Sequence, residues 1–171
     1  MLKNFLPDEH VASILDIQPK MLKKRGIKAL VTDLDNTLVA WDEPDITPEL
    51  VSWFSSVKDA GISVMILSNN NEKRVKRFSH SADLQYIFRA RKPLPFAFIR
   101  AMRMMKVKKD ELVVVGDQLM TDIWGGNSAG ARTILVTPIA STDGWGTKMN
   151  RYLERMIMSQ MRRKGWIKWE E

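Results

Sequence analysis

Asp33-Leu34-Asp35-Asn36-Thr37 sets two carboxylates two residues apart, and an extended backbone turns both to the same side. Further along come Ser68-Asn69-Asn70, then Lys92-Pro93, then Gly116-Asp117 with Asp122 after it. Each group is commonplace alone. Together they are the parts needed to handle a phosphate ester. A phosphate monoester is dianionic and repels a carboxylate nucleophile, so a divalent cation has to neutralise it. Asp33 and Asp117 suit Mg²⁺, with a backbone carbonyl and waters completing the shell this ion prefers. The free oxygen of Asp33 is then a nucleophile for phosphorus, and the product of attack is an aspartyl-phosphate. Asp35 is spaced to protonate the leaving oxygen and later to deprotonate the water that hydrolyses the intermediate. Ser68 and Asn69 offer hydrogen bonds to the phosphoryl group, and Lys92 offers a positive charge. Asp122 suits orientation of Lys92 or of metal-bound water.

These residues need elements to hold them. Short runs rich in Val and Ile at 29–31, 62–67, 86–88, 112–115 and 134–136 read as buried strands. Segments 47–60, 71–79, 95–105 and 120–129 between them read as helices. The first opens on Thr47-Pro48-Glu49, a capping threonine followed by proline at the first helical position. Gly61 and Gly130 follow helices as stop residues. Such alternation predicts an α/β, Rossmann-like three-layer sandwich: a mostly parallel five-stranded sheet covered on both faces, with right-handed crossovers. In these folds ligands sit beyond the carboxyl ends of the strands, which is where the polar residues above fall.

What the chain lacks narrows the chemistry. The 171 residues contain no cysteine and two histidines, so a disulfide framework, a thiolate zinc site and a cysteinyl nucleophile are excluded. His10 and His80 fit no ligand pattern and read as surface residues. Hydrophobic residues at 44% and charged residues at 27% suit a globular protein, and no apolar run approaches the length of a membrane span. With no secretory signal pattern, the expectation is a cytoplasmic chain. The length predicts one domain over 1–171, with a core of about 29–137 between a basic N-terminal segment 1–28 and a basic amphipathic C-terminal segment 147–171. A calcium loop starting at Asp33 fails, because Leu38 stands where the turn glycine belongs and Pro44 where the bidentate Glu belongs. Gly125, Gly126 and Gly130 lack the dinucleotide spacing and read as turn and helix-end glycines.

The motifs DLDNT, Ser68, Lys92-Pro93 and GDQLMTD resemble, in this order, the four motifs of the haloacid dehalogenase superfamily of phosphatases, over roughly 29–137. That resemblance implies Asp33 as nucleophile, Asp35 as acid/base, Ser68 and Lys92 as phosphate contacts, and Asp33, Asp117 and the Asp35 carbonyl as Mg²⁺ ligands. An aspartate at Asp35 implies hydrolysis, since family members with ATP-pump chemistry carry threonine there. From Asp33 to Ser68 is 35 residues, then 24 to Lys92 and 25 to Asp117, which leaves no room for a large cap domain. Segment 39–46, with Trp41, is long enough only for a flap. An uncapped site suits a substrate whose bulk stays outside. PDEHVASILDI, GIKALVTDLDNTLVAWD and GDQLMTDIWGGNSAG resemble the YqeG-like, subfamily IIIA branch, which is similar to phosphatidylglycerophosphate phosphatases. The implied reaction is phosphatidylglycerophosphate to phosphatidylglycerol.

The net charge of +7 bears on the partner. Residues 29–146 sum to zero, whereas 1–28 carry +3 and 147–171 carry +4. Met149, Leu153, Met156, Ile157, Gln160 and Met161 recur at helical spacing among arginines, with Trp166 and Trp169 beyond. Such a segment either lies on an anionic bilayer at the inner face of the membrane or packs on the domain or a second subunit. Two alternatives keep different features. One retains the chemistry for a soluble sugar, nucleotide or nucleic-acid end phosphate. The other makes the chain a non-catalytic module that binds a membrane or, through the basic stretch 73–109, nucleic acid; the core-like spacing of Phe78, Tyr86, Phe88, Phe96 and Phe98 disfavours nucleic acid.

Overall fold

In the computed structural model, residues 2–140 and 147–169 are described, with the side chains of 152–169 in the last segment. Six parallel strands form one sheet: β1 (Glu9–Val11), β2 (Ala29–Thr32), β3 (Ser63–Leu67), β4 (Gln85–Ile87), β5 (Leu112–Gly116) and β6 (Arg132–Val136). Their order is β1-β6-β5-β2-β3-β4. Strands β2 and β5 lie at the centre and are buried along their whole length, as parallel strands covered on both faces must be. The sixth strand corrects the expectation of five. β1 is a three-residue edge strand, Glu-His-Val, that carries no apolar run and is tied in by register with Ile134, Leu135 and Val136. The N-terminal segment therefore contributes to the sheet.

Alternation divides the core into two layers. Helix α1 (Pro19–Lys24) links β1 to β2. Leu30, Ile66, Val113 and Val115 face one way and meet helix α2 (Pro48–Asp59) through Leu50, Trp53 and Val57, and α3 (Glu72–Ser81) through Val75 and Phe78. Ala29, Val31, Met65, Leu67 and Val114 face the other way and meet α4 (Phe96–Met105) through Ala97, Phe98 and Ala101. The sequence places α2, α3 and α4 within two residues at each end. Thr47 accepts a hydrogen bond from Leu50 N at 3.3 Å, and Pro48 begins α2. Phe96 departs from its core-like spacing: it starts α4 and is 73% exposed.

The helix expected over 120–129 is two pieces, a π-helical turn at Leu119–Ile123 and α5 (Trp124–Ala129). Gly125 and Gly126 lie inside α5 and are packing glycines. A Cβ on Gly125 would sit 2.5 Å from Phe98 Cε2, and one on Gly126 2.7 Å from Thr133 Cγ2. Only Gly130 ends the helix, with φ +79°. The last helix, α6 (Thr147–Arg163), packs on the domain: Met158, Met161 and Ile167 are buried with Leu119, Ile123 and Leu135. The side chains of Met149 and Arg151, residues 170–171 and Met1 lie outside the described residues. Among the described residues no helix is long and apolar enough to cross a membrane.

Candidate active site

β2 runs straight into Asp33, whose backbone N–H continues the ladder by donating to Val115 O at 3.0 Å. β5 ends at Gly116, so Asp117 emerges beside Asp33 at the same edge of the sheet. Lys92 arrives from the loop after β4. Its Nζ lies 2.9 Å from Asp33 Oδ1 and 2.6 Å from Asp122 Oδ1. All four residues are buried. Asp122 is carried inward by the π-helical turn, an irregularity typical of functional sites, and its Oδ2 accepts from Gln118 N at 3.2 Å. This approach requires glycine at 116, because a Cβ there would be 2.3 Å from Asp122 Cγ.

Asp33, Asp117 and Asp122 each offer a carboxylate oxygen, and these atoms lie within 4.8 Å of one another. Burying like charges so close is costly unless a cation compensates them. Lys92 supplies one positive charge to three carboxylates, which leaves the cluster negative. An all-oxygen, anionic donor set of this kind fits a hard divalent cation. Thr37 Oγ1 donates to Asp117 Oδ1 at 3.0 Å and fixes its orientation. Asp33 and Asp117 are the two carboxylates in the ligand set implied by resemblance, and Asp122 joins them; the Asp35 carbonyl is a backbone atom outside this carboxylate group.

Burial pushes the Asp122 carboxyl up to about 6, against the opposing charge of Lys92 and with help from Asp33. Burial by itself would lower the Lys92 ammonium, but the charges of Asp122 and Asp33 more than offset it and raise it above its ordinary value. The lysine is thus held protonated. Asp35 lies to one side. Its Oδ2 accepts from Asn70 Nδ2 at 2.9 Å and its Oδ1 from Arg74 Nε at 3.1 Å. Burial raises its carboxyl above the ordinary value of 3.8, and the charge of Asp33 adds to this, while Asn70 and Arg74 oppose it.

Ser68 is buried at the end of β3, and its Oγ accepts from Asn70 N at 3.1 Å, which leaves the hydroxyl hydrogen to donate elsewhere. Asn69 is used differently from the sequence expectation. Its Oδ1 accepts from Lys92 N at 2.8 Å and its Nδ2 donates to Lys92 O at 3.2 Å, so its amide anchors the lysine loop. Asn70, Arg74 and Thr37 escaped the sequence reading as site residues. Thr37 stands within the aspartate motif, and Arg74 stands one turn into a helix capped by Asn71, whose Oδ1 accepts from Arg74 N at 3.0 Å. Arg74 also donates to Ala40 O at 3.3 Å, tying Asp35 to the flap. That flap is short: an Asp35–Val39 bridge and a bond from Trp41 N to Asn36 Oδ1 hold it.

Residues 6–130 match the family model "Hydrolase: haloacid dehalogenase-like hydrolase". The chain is 55% identical, over 172 residues and the whole of both proteins, to a probable phosphatase, YqeG, of Bacillus subtilis (strain 168). It is 28% identical to the chloroplastic/mitochondrial phosphatidylglycerophosphate phosphatase 1 of Arabidopsis thaliana, over 94% of this chain and 49% of that one. In fold it is similar to the cobalt-bound deoxy-D-mannose-octulosonate 8-phosphate phosphatase of Haemophilus influenzae, with a TM-score of 0.56, 19% identity, and coverage of 80% of this chain and 90% of that one. A buried acidic cluster at the carboxyl edge of a parallel sheet, the family match across most of the length and the full-length likeness to a phosphatase converge. The chain belongs to the haloacid dehalogenase-like hydrolases and is one of their phosphatases.

Proposed function

We propose that this phosphatase is Mg²⁺-dependent, works through an aspartyl-phosphate on Asp33, and converts phosphatidylglycerophosphate to phosphatidylglycerol. The observation that carries the mechanism is the buried group of Asp33, Asp117 and Asp122 around Lys92. Asp33 and Asp117 would hold the ion, with Asp122 beside them; when bound, it offsets the charge of the phosphate and of the cluster. Asp33 attacks phosphorus as the bond to the leaving alcohol breaks, and the proton that the alcohol oxygen needs comes from Asp35. Burial keeps that proton available by raising the Asp35 carboxyl. Asp35 then takes a proton from water as the water oxygen displaces Asp33, and inorganic phosphate leaves. Lys92 meets the charge of the transferring group, Ser68 Oγ donates to one of its oxygens, and Asn69 and Asp122 keep the lysine in place.

The lipid substrate is supported by the likeness to the plant phosphatidylglycerophosphate phosphatase, of which this chain spans about half the length. Exposed Arg163, Lys164 and Lys168 near the C-terminus support peripheral contact with an anionic membrane, at its inner face in a cytoplasmic setting. The test is turnover of phosphatidylglycerophosphate in mixed micelles against a panel of soluble sugar and nucleotide monoesters, each with Mg²⁺ and with a chelator. The lipid should be hydrolysed at the highest kcat/KM, and chelation should abolish turnover until Mg²⁺ is restored. A soluble ester turned over better than the lipid would overturn the substrate assignment. Turnover unaffected by chelation would overturn the metal.

A further inference from the structure

The carboxylate cluster borders a larger space. Asp117 lines a cavity of about 630 Å³ together with Leu135, Ile139, Met158, Trp169 and Arg155. Cavities that enclose a whole small molecule span about 300–1,000 Å³. A phosphoryl group needs far less, so the space suits the rest of a substrate. Its walls are mostly apolar, from the end of β6 and the inner face of α6. Against these walls stand two groups that want an acceptor. Arg155 forms no ion pair among the described residues. The Trp169 indole N–H is buried with no acceptor among them, and its ring is stacked on His10 at 5.0 Å between centroids. The neighbouring acid of α6, Glu154, is already engaged, accepting from Met120 N at 3.0 Å.

We infer that this cavity holds the alcohol portion of the substrate and selects an amphiphile: an apolar body with a second oxyanion besides the phosphate monoester. The apolar body lies against Leu135, Ile139 and Met158, and the second oxyanion, a phosphodiester, meets Arg155. A purely polar alcohol would forgo the apolar contact of Leu135, Ile139 and Met158, whereas an apolar one would leave the buried indole N–H unmatched and the exposed guanidinium to water. The inference rests on the phosphatase reading and adds a specificity site outside the carboxylate cluster.

The probe is dihexanoyl phosphatidylglycerol below its micelle concentration, which carries the phosphodiester and acyl chains but no monoester. Calorimetric titration of the full chain should show binding, retained in the Asp33→Asn protein. Arg155→Gln and Ile139→Ser, both at exposed positions, should each weaken it about tenfold, with Arg155→Lys recovering part of the loss. The same two variants should raise KM for short-chain phosphatidylglycerophosphate about tenfold more than KM for p-nitrophenyl phosphate. Absence of binding by the wild-type chain, unchanged binding by both variants, or equal effects on the two substrates would each overturn the cavity assignment. Full p-nitrophenyl phosphate turnover by Asp33→Asn overturns the catalytic reading instead, and leaves the binding result standing.

Discussion

Asp122 is held at its place by three different kinds of neighbour: the Lys92 ammonium, the Gln118 N–H and the bare Cα of Gly116. The glycine is the least forgiving of these. Its Cβ would lie 2.3 Å from the Asp122 carboxylate carbon, so Gly116→Ala must push Asp122 off Lys92. Small displacements of positioning groups cost about 10²-fold in rate. Steady-state assay of Gly116→Ala should show a loss of that order in kcat, and the rest of the fold should survive at a cost of about 1–3 kcal/mol. At this scale, chemistry was legible from residue type beyond a strand end: Asp33 and Asp117 directly follow β2 and β5, and Asp35 and Lys92 lie in the loops after β2 and β4. What the sequence hid was which groups each side chain would spend on its neighbours. Asn69 reads as a phosphate ligand, yet both ends of its amide bond the Lys92 backbone. Asn70 and Arg74 converge on Asp35 from positions 35 and 39 residues away, a distance at which spacing carries no signal.

The π-helical turn decides what the following helix can do. Periodicity reads one helix across 120–129, because Ile123 and the residues of α5 continue its apolar face. An inward-turned Asp122 is incompatible with that register, and the chain takes a wider turn before α5 begins. Helix α6 clamps the turn from outside. Glu154, buried, accepts from Met120 N, while Met158 and Met161 pack with Leu119 and Ile123. Glu154→Ala leaves the Met120 N–H without this acceptor, at a cost of about 1–3 kcal/mol. Thermal unfolding should register that loss, and kcat should fall because the turn carries Asp122. Glu154→Gln retains an acceptor and should recover most of both. Equal behaviour of the two variants would show that α6 does not support the site through this bond. The sequence showed α6 to be amphipathic, but a Met-rich basic face reads alike for a bilayer and for a protein core; contact with Leu119 and Leu135 resolves it in part.

For the whole molecule, the parallel sheet was legible because buried strands on both sides of the centre are runs of Val, Ile and Leu. The edge strand β1 was not, since an edge needs backbone pairing more than apolar side chains. That edge also joins the two ends of the chain, where His10 on β1 stacks on Trp169 beyond α6 and has Thr137 Oγ1 at 3.4 Å from Nε2. Burial lowers the His10 imidazole below its ordinary 6.5. A lowered folded-state value means that protonation favours the unfolded chain. The contribution is therefore present above pH 6.5 and is lost as pH falls through the folded-state value. Thermal melts from pH 8 to 5 should show a decline in Tm on the acid side that is smaller in His10→Gln; parallel curves would contradict it. The central claim concerns Asp33, and one measurement reaches it directly. The Asp35→Asn protein, mixed with Mg²⁺ and a phosphomonoester and quenched in acid, should carry one phosphoryl group by intact mass. Peptide mapping should locate it on Asp33, and Asp33→Asn should remain unmodified. A phosphoryl group mapped to any other residue, or wild-type turnover by Asp33→Asn, would contradict the account.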